Sequence, residues 1–539
     1  MPSVELSLVI PAYNESGRLP ATLVHAATVL PRLAAQSEII VVDDGSTDGT
    51  AAVAEQMSSP VPLRVVRLGR NRGKGAAVGR GMREARHPLV AFTDADSPYD
   101  LEHLRPMLAA LTSGRADIAI GARELPESEI NRGYGLLRLI SGKMLSLLTG
   151  LVLGLPFRDS QCGLKAFRAD VARRLFALRT VDGFGFDFEI LTAALANGLR
   201  VERFPVRLTH HDDSRISLLR DSLRMARDLG QVRRGLRAGF YALSAEPAEA
   251  RPCPLCGEEA CTPRVARQGY RMVACRGCGL WYLNPMPSRA ALERVYCDEY
   301  FESTAAEEAG YADYAGMGDD FRDTFRRRLR LLPPALCHER LLDVGGGFGF
   351  LADAAASQYA ERWVVELSAA AAQRVAGDHH VVVGPWESVE VPGGYFDVVS
   401  LQDCLEHFPE PVAALRKVRT VLRPGGALLV VTPNTRSWLS RLQGRRWVSL
   451  KFPEHVVLFS EPTLRRALEA VGLRLETAVA AGQYVRLEFL ATRVAAGFPR
   501  VGRALARALR GVGAGRLRLY VPSGSIAAVA IAPSGRAVA

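Results

Sequence analysis

The stretch Glu38-Ile39-Ile40-Val41-Val42-Asp43-Asp44-Gly45-Ser46-Thr47-Asp48-Gly49-Thr50 decides the fold class of the first part of the chain. It reads as an apolar strand ending in two carboxylates, followed by residues suited to cap a helix N-terminus. Neighbouring segments repeat the design. Leu6-Ser7-Leu8-Val9-Ile10-Pro11 is a short apolar run stopped by proline, the pattern of a buried parallel strand. A helix is expected from about Gly17 to Ala34, and further strands at Leu63 to Leu68 and Pro88 to Thr93. Alternating strands and helices imply a mostly parallel sheet covered on both faces, with ligands at the carboxyl ends of its strands.

Carboxylates gather at those strand ends: Glu15, Asp43 with Asp44, and Asp94 with Asp96. Acids collected at one sheet edge repel one another unless a cation sits among them. A hard, oxygen-ligated Mg²⁺ or Mn²⁺ holding a diphosphate is the natural partner. Surface turns often contain Asp-x-Asp. What gives Asp94-Ala95-Asp96 weight is its place after an apolar strand, with Asp43-Asp44 after another.

Val9-Ile10-Pro11-Ala12-Tyr13-Asn14-Glu15, Val41 to Thr50 and Asp94-Ala95-Asp96 together resemble a family 2 glycosyltransferase with the α/β GT-A (nucleotide-diphospho-sugar transferase) fold. Asn71-Arg72-Gly73-Lys74-Gly75, Arg158 to Lys165, Gly183 to Glu189 and Ser214-Arg215-Ile216 narrow the resemblance to the polyprenyl-phosphate (dolichyl-phosphate) β-glucosyltransferase branch, over about residues 4–235. The resemblance implies that Pro11, Glu15, Asp43, Asp44, Lys74 and Asp94 bind a nucleotide-sugar of the UDP-glucose or GDP-mannose type. It implies that Asp96 ligates the metal on the diphosphate, and that Arg158, Lys165 and Arg215 hold the acceptor phosphate. Asp187 or Glu189 would hold a sugar hydroxyl or act as a base for another acceptor. A phosphate acceptor is already anionic near neutral pH, so it needs no strong general base. Branch members often carry additional hydrophobic membrane segments, and this chain shows none. Met144 to Leu155 is apolar but too short to span. An in-plane membrane contact and a buried core helix both fit it.

Cys253-Pro-Leu-Cys256 and Cys275-Arg-Gly-Cys278 enclose 18 residues. That spacing suits one tetrahedral Zn²⁺ with four thiolates, a closed and therefore structural site, here a zinc ribbon. Cys261 and Cys297 fall outside the knuckles and read as buried thiols. The flanking Gly279-Leu280-Trp281-Tyr282-Leu283 is apolar and aromatic, which argues for packing against a neighbour and against nucleic-acid binding.

Arg340-Leu341-Leu342-Asp343-Val344-Gly345-Gly346-Gly347-Phe348-Gly349-Phe350 reads as strand, glycine turn and helix start, and Trp363-Val364-Val365-Glu366 ends the next strand with an acid suited to a ribose diol. With Tyr395 to Val399, Leu405-Glu406-His407 and Leu422 to Gly426, the order resembles a Rossmann-like class I S-adenosylmethionine methyltransferase, over about residues 337–480 and a final strand at Gly524 to Ala532. Methyltransferases of sugar and surface-polysaccharide pathways also carry such a zinc module. The resemblance places Asp343, Gly345 and Gly347 at the methionine moiety and Glu366 at the ribose. At the adenine position, where relatives often have Asp, this chain has Gly384-Pro385-Trp386-Glu387, so Glu387 or a backbone amide would substitute. His407 and His455 are candidates to deprotonate an acceptor hydroxyl. A lone histidine is more often structural, and that reading stands beside the catalytic one for each.

Length and composition agree with several ordinary globular domains: 539 residues, 48% apolar and 23% charged. The expected boundaries are 1–243 for the glycosyltransferase domain, 244–252 for a linker, 253–290 for the zinc ribbon, 291–336 for a helical connector and 337–539 for the methyltransferase domain. The +11 balance favours anionic partners, although its arginine bias also fits a GC-rich genome. Gly502 to Arg510 sets arginines at i, i+4 and i+7, and can be a basic amphipathic helix at a membrane surface or an ordinary polar face. The N-terminus lacks signal-peptide features. The reading is therefore a cytoplasmic enzyme at the inner face of the membrane, bifunctional, acting in cell-envelope glycan or glycolipid biosynthesis on a polyprenyl phosphate or glycolipid. Two rivals stay open: a glycosyltransferase with a degenerate methyltransferase-like binding module, and a nucleic-acid methyltransferase with an unusual partner domain.

Overall fold

The computed structural model describes residues 4–96, 99–130, 136–208, 218–244, 248–295, 317–336, 338–488, 490–491, 499–511 and 514–535. The chain divides into two compact units, Met1–Ala250 with Val265–Arg271, and Arg251–Arg264 with Met272–Ala539.

In the first unit a seven-stranded sheet holds β1 (Glu5–Ala12), β2 (Gln36–Asp43), β3 (Leu63–Arg67), β4 (Leu89–Phe92), β5 (Ile118–Gly121), β6 (Lys165–Arg168) and β7 (Val201–Phe204), in the order β3-β2-β1-β4-β6-β5-β7. The pairs β1–β2, β1–β4, β2–β3 and β5–β7 are parallel, and β6 runs antiparallel to both its neighbours. Successive side chains point to opposite faces of a strand. Leu6, Leu8 and Ile10 accordingly join one core layer with Leu23 and Leu30 of α1 (Leu19–Leu33). Val9 joins the other, with Val78 of α2 (Lys74–Glu84), Phe92 and Phe167. This two-sided burial is why these strands read as continuous apolar runs.

The apolar segment after residue 135 forms α3 (Leu136–Leu153), whose C-terminal end enters the core through Leu153 while part of its surface is open. Met144, Leu147, Leu148 and Leu151 are exposed, Leu147 at 61% and Leu151 at 75%. Further along lie α4 (Phe186–Ala196) and α5 (Leu218–Arg237), the latter with Leu223 exposed. No helix among the described residues is long and apolar enough to cross a membrane.

The cysteine segment forms β8 (Cys261–Arg267), β9 (Tyr270–Cys275) and β10 (Trp281–Leu283). The second unit's own sheet holds β11 (Arg340–Val344), β12 (Glu361–Glu366), β13 (His380–Val383), β14 (Phe396–Gln402), β15 (Leu422–Pro433), β17 (Arg474–Arg486) and β18 (Arg518–Ile531), in the order β13-β12-β11-β14-β15-β18-β17, while β16 (Val457–Leu458) pairs with β10. Strands β13, β12, β11, β14 and β15 are parallel; β18 is antiparallel to β15 and β17. The last strand starts earlier than its apolar run because Arg518 to Pro522 extend the ladder with β17. Phe348 and Phe350 bury against Leu341, Val398 and Leu429, and Phe350 opens the short helix α6 (Phe350–Ala354). α7 (Pro411–Val421) and the arginine-rich α8 (Pro499–Gly511) follow, and Arg500, Arg503 and Arg507 of α8 are exposed.

Candidate active sites

In the first unit the loops after β1, β2 and β4 meet at one sheet edge. Asn14, held at φ 55°, clasps the first two: its N–H donates to Ser46 Oγ at 2.9 Å and its Oδ1 accepts from Thr47 N at 2.9 Å. Pro11 is buried next to this turn. Asp43 is buried at the end of β2 and accepts from Ser46 N at 3.2 Å. Asp44 accepts from Arg72 N at 2.8 Å and Gly73 N at 2.7 Å, which fixes the loop leading into α2. Burial lifts the Asp44 carboxyl above the usual carboxylate range against the pull of those two N–H groups.

Two cations stand among the acids. Arg18 donates to Glu15 Oε2 at 2.6 Å and has an Nη1 3.7 Å from Asp96 Oδ2. Lys74 Nζ lies 2.5 Å from Asp94 Oδ1. Burial alone would lower the Lys74 ammonium, but Asp94, Asp187 and Asp96 outweigh it and raise its pKa. Asp96 is pushed up by burial and then by the Asp94 charge. Asp96 meets Arg18 at ion-pair rather than hydrogen-bond distance, whereas Glu15 and Asp94 bond closely to Arg18 and Lys74. The donor set fits a hard cation that takes one carboxylate from protein and its other oxygens from a diphosphate.

The loop from Arg158 to Lys165 is pinned at three points. Arg123 grips Asp159 through two bonds of 2.7 and 2.8 Å. Gly163 sits so close to Asp94 that a methyl group in its place would overlap Asp94 Oδ2. Lys165 Nζ is buried, 2.6 Å from Asp187 Oδ1 and 2.6 Å from the Cys162 carbonyl oxygen. Lys165 is 2% exposed and Asp187 3%. The expectation that Lys165 grips the acceptor phosphate directly is therefore corrected. Its charge is already matched inside the fold, and the Asp187 carboxylate is equally committed. Burial raises Asp187 against the lowering by Lys165 and Lys74. Glu189 is likewise structural, accepting from Thr180 N at 2.8 Å, Val181 N at 2.9 Å and Tyr241 Oη at 2.8 Å. Arg158 is exposed, and Arg215 lies outside the described residues.

In the second unit Gly345, Gly347 and Gly349 all have positive φ (72°, 57° and 77°), backbone that other residues adopt only with strain. Glu366, at the end of β12, accepts from Gly347 N at 2.8 Å and Ser368 N at 2.9 Å, which locks the turn onto the next strand. Asp343 is buried with Oδ1 unpartnered, and burial pushes its carboxyl up to about 8. A buried acid of that kind suits a ligand cation. Glu387 is exposed, and its neighbour Trp386 is core, donating Nε1–H to the Ala414 carbonyl at 3.2 Å. His407 and His455 meet edge to face with ring centres 4.9 Å apart. Burial lowers the His407 pKa to about 4 and that of His455 well below its ordinary value, so both are neutral near pH 7.

The four cysteines Cys253, Cys256, Cys275 and Cys278 bring their sulfurs within 4.8 Å of one another, with Cys253–Cys278 at 3.6 Å and Cys256–Cys275 at 3.4 Å. A ZnS₄ tetrahedron with bonds of about 2.3 Å has edges of about 3.8 Å, so the set fits zinc. Gly277 N and Cys278 N donate to Cys275 Sγ at 3.3 and 3.4 Å, a support for thiolate charge. Cys261 is buried outside the cluster, and Cys297 lies outside the described residues. We expect about one zinc per chain, lost in Cys275→Ser together with stability of the second unit; elemental analysis and thermal unfolding check this.

Residues 7–176 match the glycosyl transferase family 2 model. The dolichyl-phosphate beta-glucosyltransferase of Drosophila melanogaster is 36% identical over 244 residues, spanning 43% of this chain and 75% of that protein. The chain belongs to glycosyl transferase family 2. The polyprenol monophosphomannose synthase of Mycolicibacterium smegmatis is 34% identical over 219 residues, covering 39% of this chain and 80% of that protein. The Saccharomyces cerevisiae dolichyl-phosphate beta-glucosyltransferase is 31% identical over 257 residues, covering 44% and 76%. Residues 318–478 match a methyltransferase domain model. This family 2 glycosyltransferase thus carries, in the same chain, a segment that matches a methyltransferase domain.

Three residues that shape the glycosyltransferase site escaped sequence reasoning. Arg18 sits in a helix start, where an arginine reads as surface. Arg123 lies 36 residues from the Asp159 it grips. Gly163 matters through a contact with Asp94 that no local pattern announces.

Proposed function

We propose that the first unit transfers a sugar from a nucleotide-sugar of the UDP-glucose or GDP-mannose type to a polyprenyl phosphate of the dolichyl type, or to a related glycolipid, and that the second methylates a glycan or glycolipid of cell-envelope biosynthesis. The observation that carries the glycosyl reading is the ring of Glu15, Asp43, Asp44, Asp94 and Asp96, with Arg18 and Lys74, at the carboxyl ends of parallel strands. Pro11, Glu15, Asp43, Asp44, Lys74 and Asp94 are assigned to the nucleotide-sugar. Asp96 is assigned to Mg²⁺ or Mn²⁺, which would offset charge on the departing nucleoside diphosphate. Arg158, exposed at the head of a pinned loop, is assigned to the acceptor phosphate together with Arg215. Lys165 and Asp187 are assigned to holding that loop in place. The names of two of these relatives, dolichyl-phosphate beta-glucosyltransferase and polyprenol monophosphomannose synthase, support a lipid-phosphate acceptor. A mass-spectrometric screen of nucleotide-sugars against polyprenyl phosphate, with and without S-adenosylmethionine, tests both halves: a lipid-linked sugar is expected in one arm and a methylated product in the other.

A polyprenyl acceptor lies in a bilayer, and the exposed leucines of α3 with Leu223 of α5 supply an apolar surface suited to lie in the headgroup region of the inner leaflet. The double variant Leu147→Ser, Leu151→Ser is expected to weaken vesicle flotation several-fold while leaving nucleotide-sugar binding intact. Equal flotation of both proteins would contradict the membrane reading.

Asp343, Gly345, Gly347 and Glu366 are assigned to S-adenosylmethionine, and Glu387 is left at most a peripheral contact. The folded pKa of Asp343 lies above its unfolded value near 4, so its contribution to stability is full below about 4 and lost as pH rises through about 8. A bound cation favours the ionised acid. Cofactor binding at pH 7 is therefore expected to release close to one proton, seen as a binding heat that changes with the buffer's ionisation enthalpy. A heat identical in all buffers would remove Asp343 from the site.

A further inference from the structure

Outside the four cysteines, Glu406, His407 and His455 each offer a ligand atom, and these atoms all lie within 4.8 Å of one another. They come from two segments that the fold ties together. Glu406 and His407 belong to the turn after β14, and His455 immediately precedes Val456, whose N–H donates to the Glu406 carbonyl oxygen at 2.9 Å. The ribbon strand β10 adds to that segment, Leu283 N donating to the Val456 carbonyl oxygen at 2.8 Å. The zinc ribbon thus braces the backbone that carries His455.

Glu406 is 0% exposed. Its Oε2 accepts from Thr432 Oγ1 at 2.9 Å, while Oε1 is buried without a hydrogen-bond partner. A carboxylate oxygen left so costs more than most single interactions return, unless a proton or a cation reaches it. The imidazoles are arranged for the cation. His407 Nδ1 is 3.0 Å from the Glu454 carbonyl oxygen, and His455 Nδ1 is 2.8 Å from the Ser449 carbonyl oxygen. A carbonyl only accepts, so the His455 ring donates from Nδ1 and its neutral tautomer carries the lone pair on Nε2; the His407 ring is held between the Glu454 and Asp403 backbones. Backbone carbonyls orient metal-binding histidines in this way.

We propose that Glu406, His407 and His455 form a second metal site, two imidazoles and a carboxylate, for a divalent transition ion such as Mn²⁺, Fe²⁺ or Zn²⁺. Three protein ligands leave open positions for water or an oxygen-bearing ligand. The site adjoins the glycine turn: a Cβ on Gly345 would stand 2.7 Å from Cys404 Sγ, two residues before Glu406. Occupation of an open position by an oxygen of the methyl acceptor rests on the methyltransferase reading; the metal site itself does not.

The test is Mn²⁺ binding, followed by electron paramagnetic resonance, to the full chain with its ribbon zinc in place. Asp96→Asn serves as the background and nucleotide is omitted, so that the glycosyltransferase site stays out of the count. One Mn²⁺ per chain is expected. Glu406→Gln and His455→Ala should each weaken it at least about tenfold with zinc content unchanged. If His455→Ala fails to fold, Glu406→Gln, which keeps the shape of the side chain, decides alone. The proposal is overturned if the background protein takes up no Mn²⁺, or if Glu406→Gln binds it equally well. Calorimetry with S-adenosylmethionine is read separately: its failure removes the methyltransferase reading and leaves the Mn²⁺ result standing.

Discussion

Asparagine in place of Asp96 is expected to reduce glycosyl transfer at least about a hundredfold, the scale of losing one group that stabilises transition-state charge. The substitution keeps the shape of the side chain and removes the charge. In the fold, Lys74 already sits on Asp94, and Arg18 bonds closely to Glu15 while standing 3.7 Å from Asp96. Asp96 is therefore the acid left to meet an incoming cation. Its raised pKa, from burial and from Asp94, states the same fact: negative charge at that point is uncomfortable until something positive arrives. The loss should fall mainly on kcat at saturating metal, because the interaction strengthens as the diphosphate departs. Initial rates with Mg²⁺ and Mn²⁺ titrated separately check this. A variant within a few-fold of wild type at every metal concentration would show that the ion is held elsewhere or is not used.

Lys165→Ala is expected to destabilise the first unit by about 3–5 kcal/mol, the usual cost of removing one partner from a buried ion pair. Asp187 would be left charged at 3% exposure, with Lys74 its remaining cation of note. Denaturant unfolding of the full chain, following the transition of the first unit, measures this. The double variant Lys165→Met, Asp187→Leu should recover much of the loss, since an apolar pair of similar volume can replace a buried ion pair. If Lys165→Ala were as stable as wild type yet lost affinity for a phosphate acceptor, the lysine would be a surface ligand and the buried pair would be wrong.

The contrast between these two residues explains what was legible. Asp43, Asp44, Asp94 and Asp96 stand directly after apolar runs, and the carboxyl ends of parallel strands necessarily point to one edge, so a linear pattern placed them together. Lys165 opens β6, the strand antiparallel to its neighbours. A motif containing a lysine does not state whether its ammonium faces solvent or a carboxylate 22 residues away. The cysteines were readable because Cys-x-x-Cys spacing is itself a geometric constraint. His407 and His455 lie far apart in sequence, and nothing in one dimension announces that they touch each other and lie beside a buried Glu406. Met144 to Leu155 allows two readings because apolar content alone does not distinguish a core face from an exposed one; the segment has both, with Leu153 and Leu155 in the core and Leu147 and Leu151 exposed. Glu387 stands out only by its place in an order of motifs, whereas the buried side chain there is Trp386.

The most direct measurement is transfer of radiolabelled sugar from UDP-glucose and GDP-mannose to polyprenyl phosphate in vesicles, with the wild type beside Asp96→Asn. A metal-dependent, organic-extractable lipid-linked sugar is expected in the wild type and nearly none in the variant. Transfer to free hydroxyl acceptors with the lipid phosphate ignored would contradict the account.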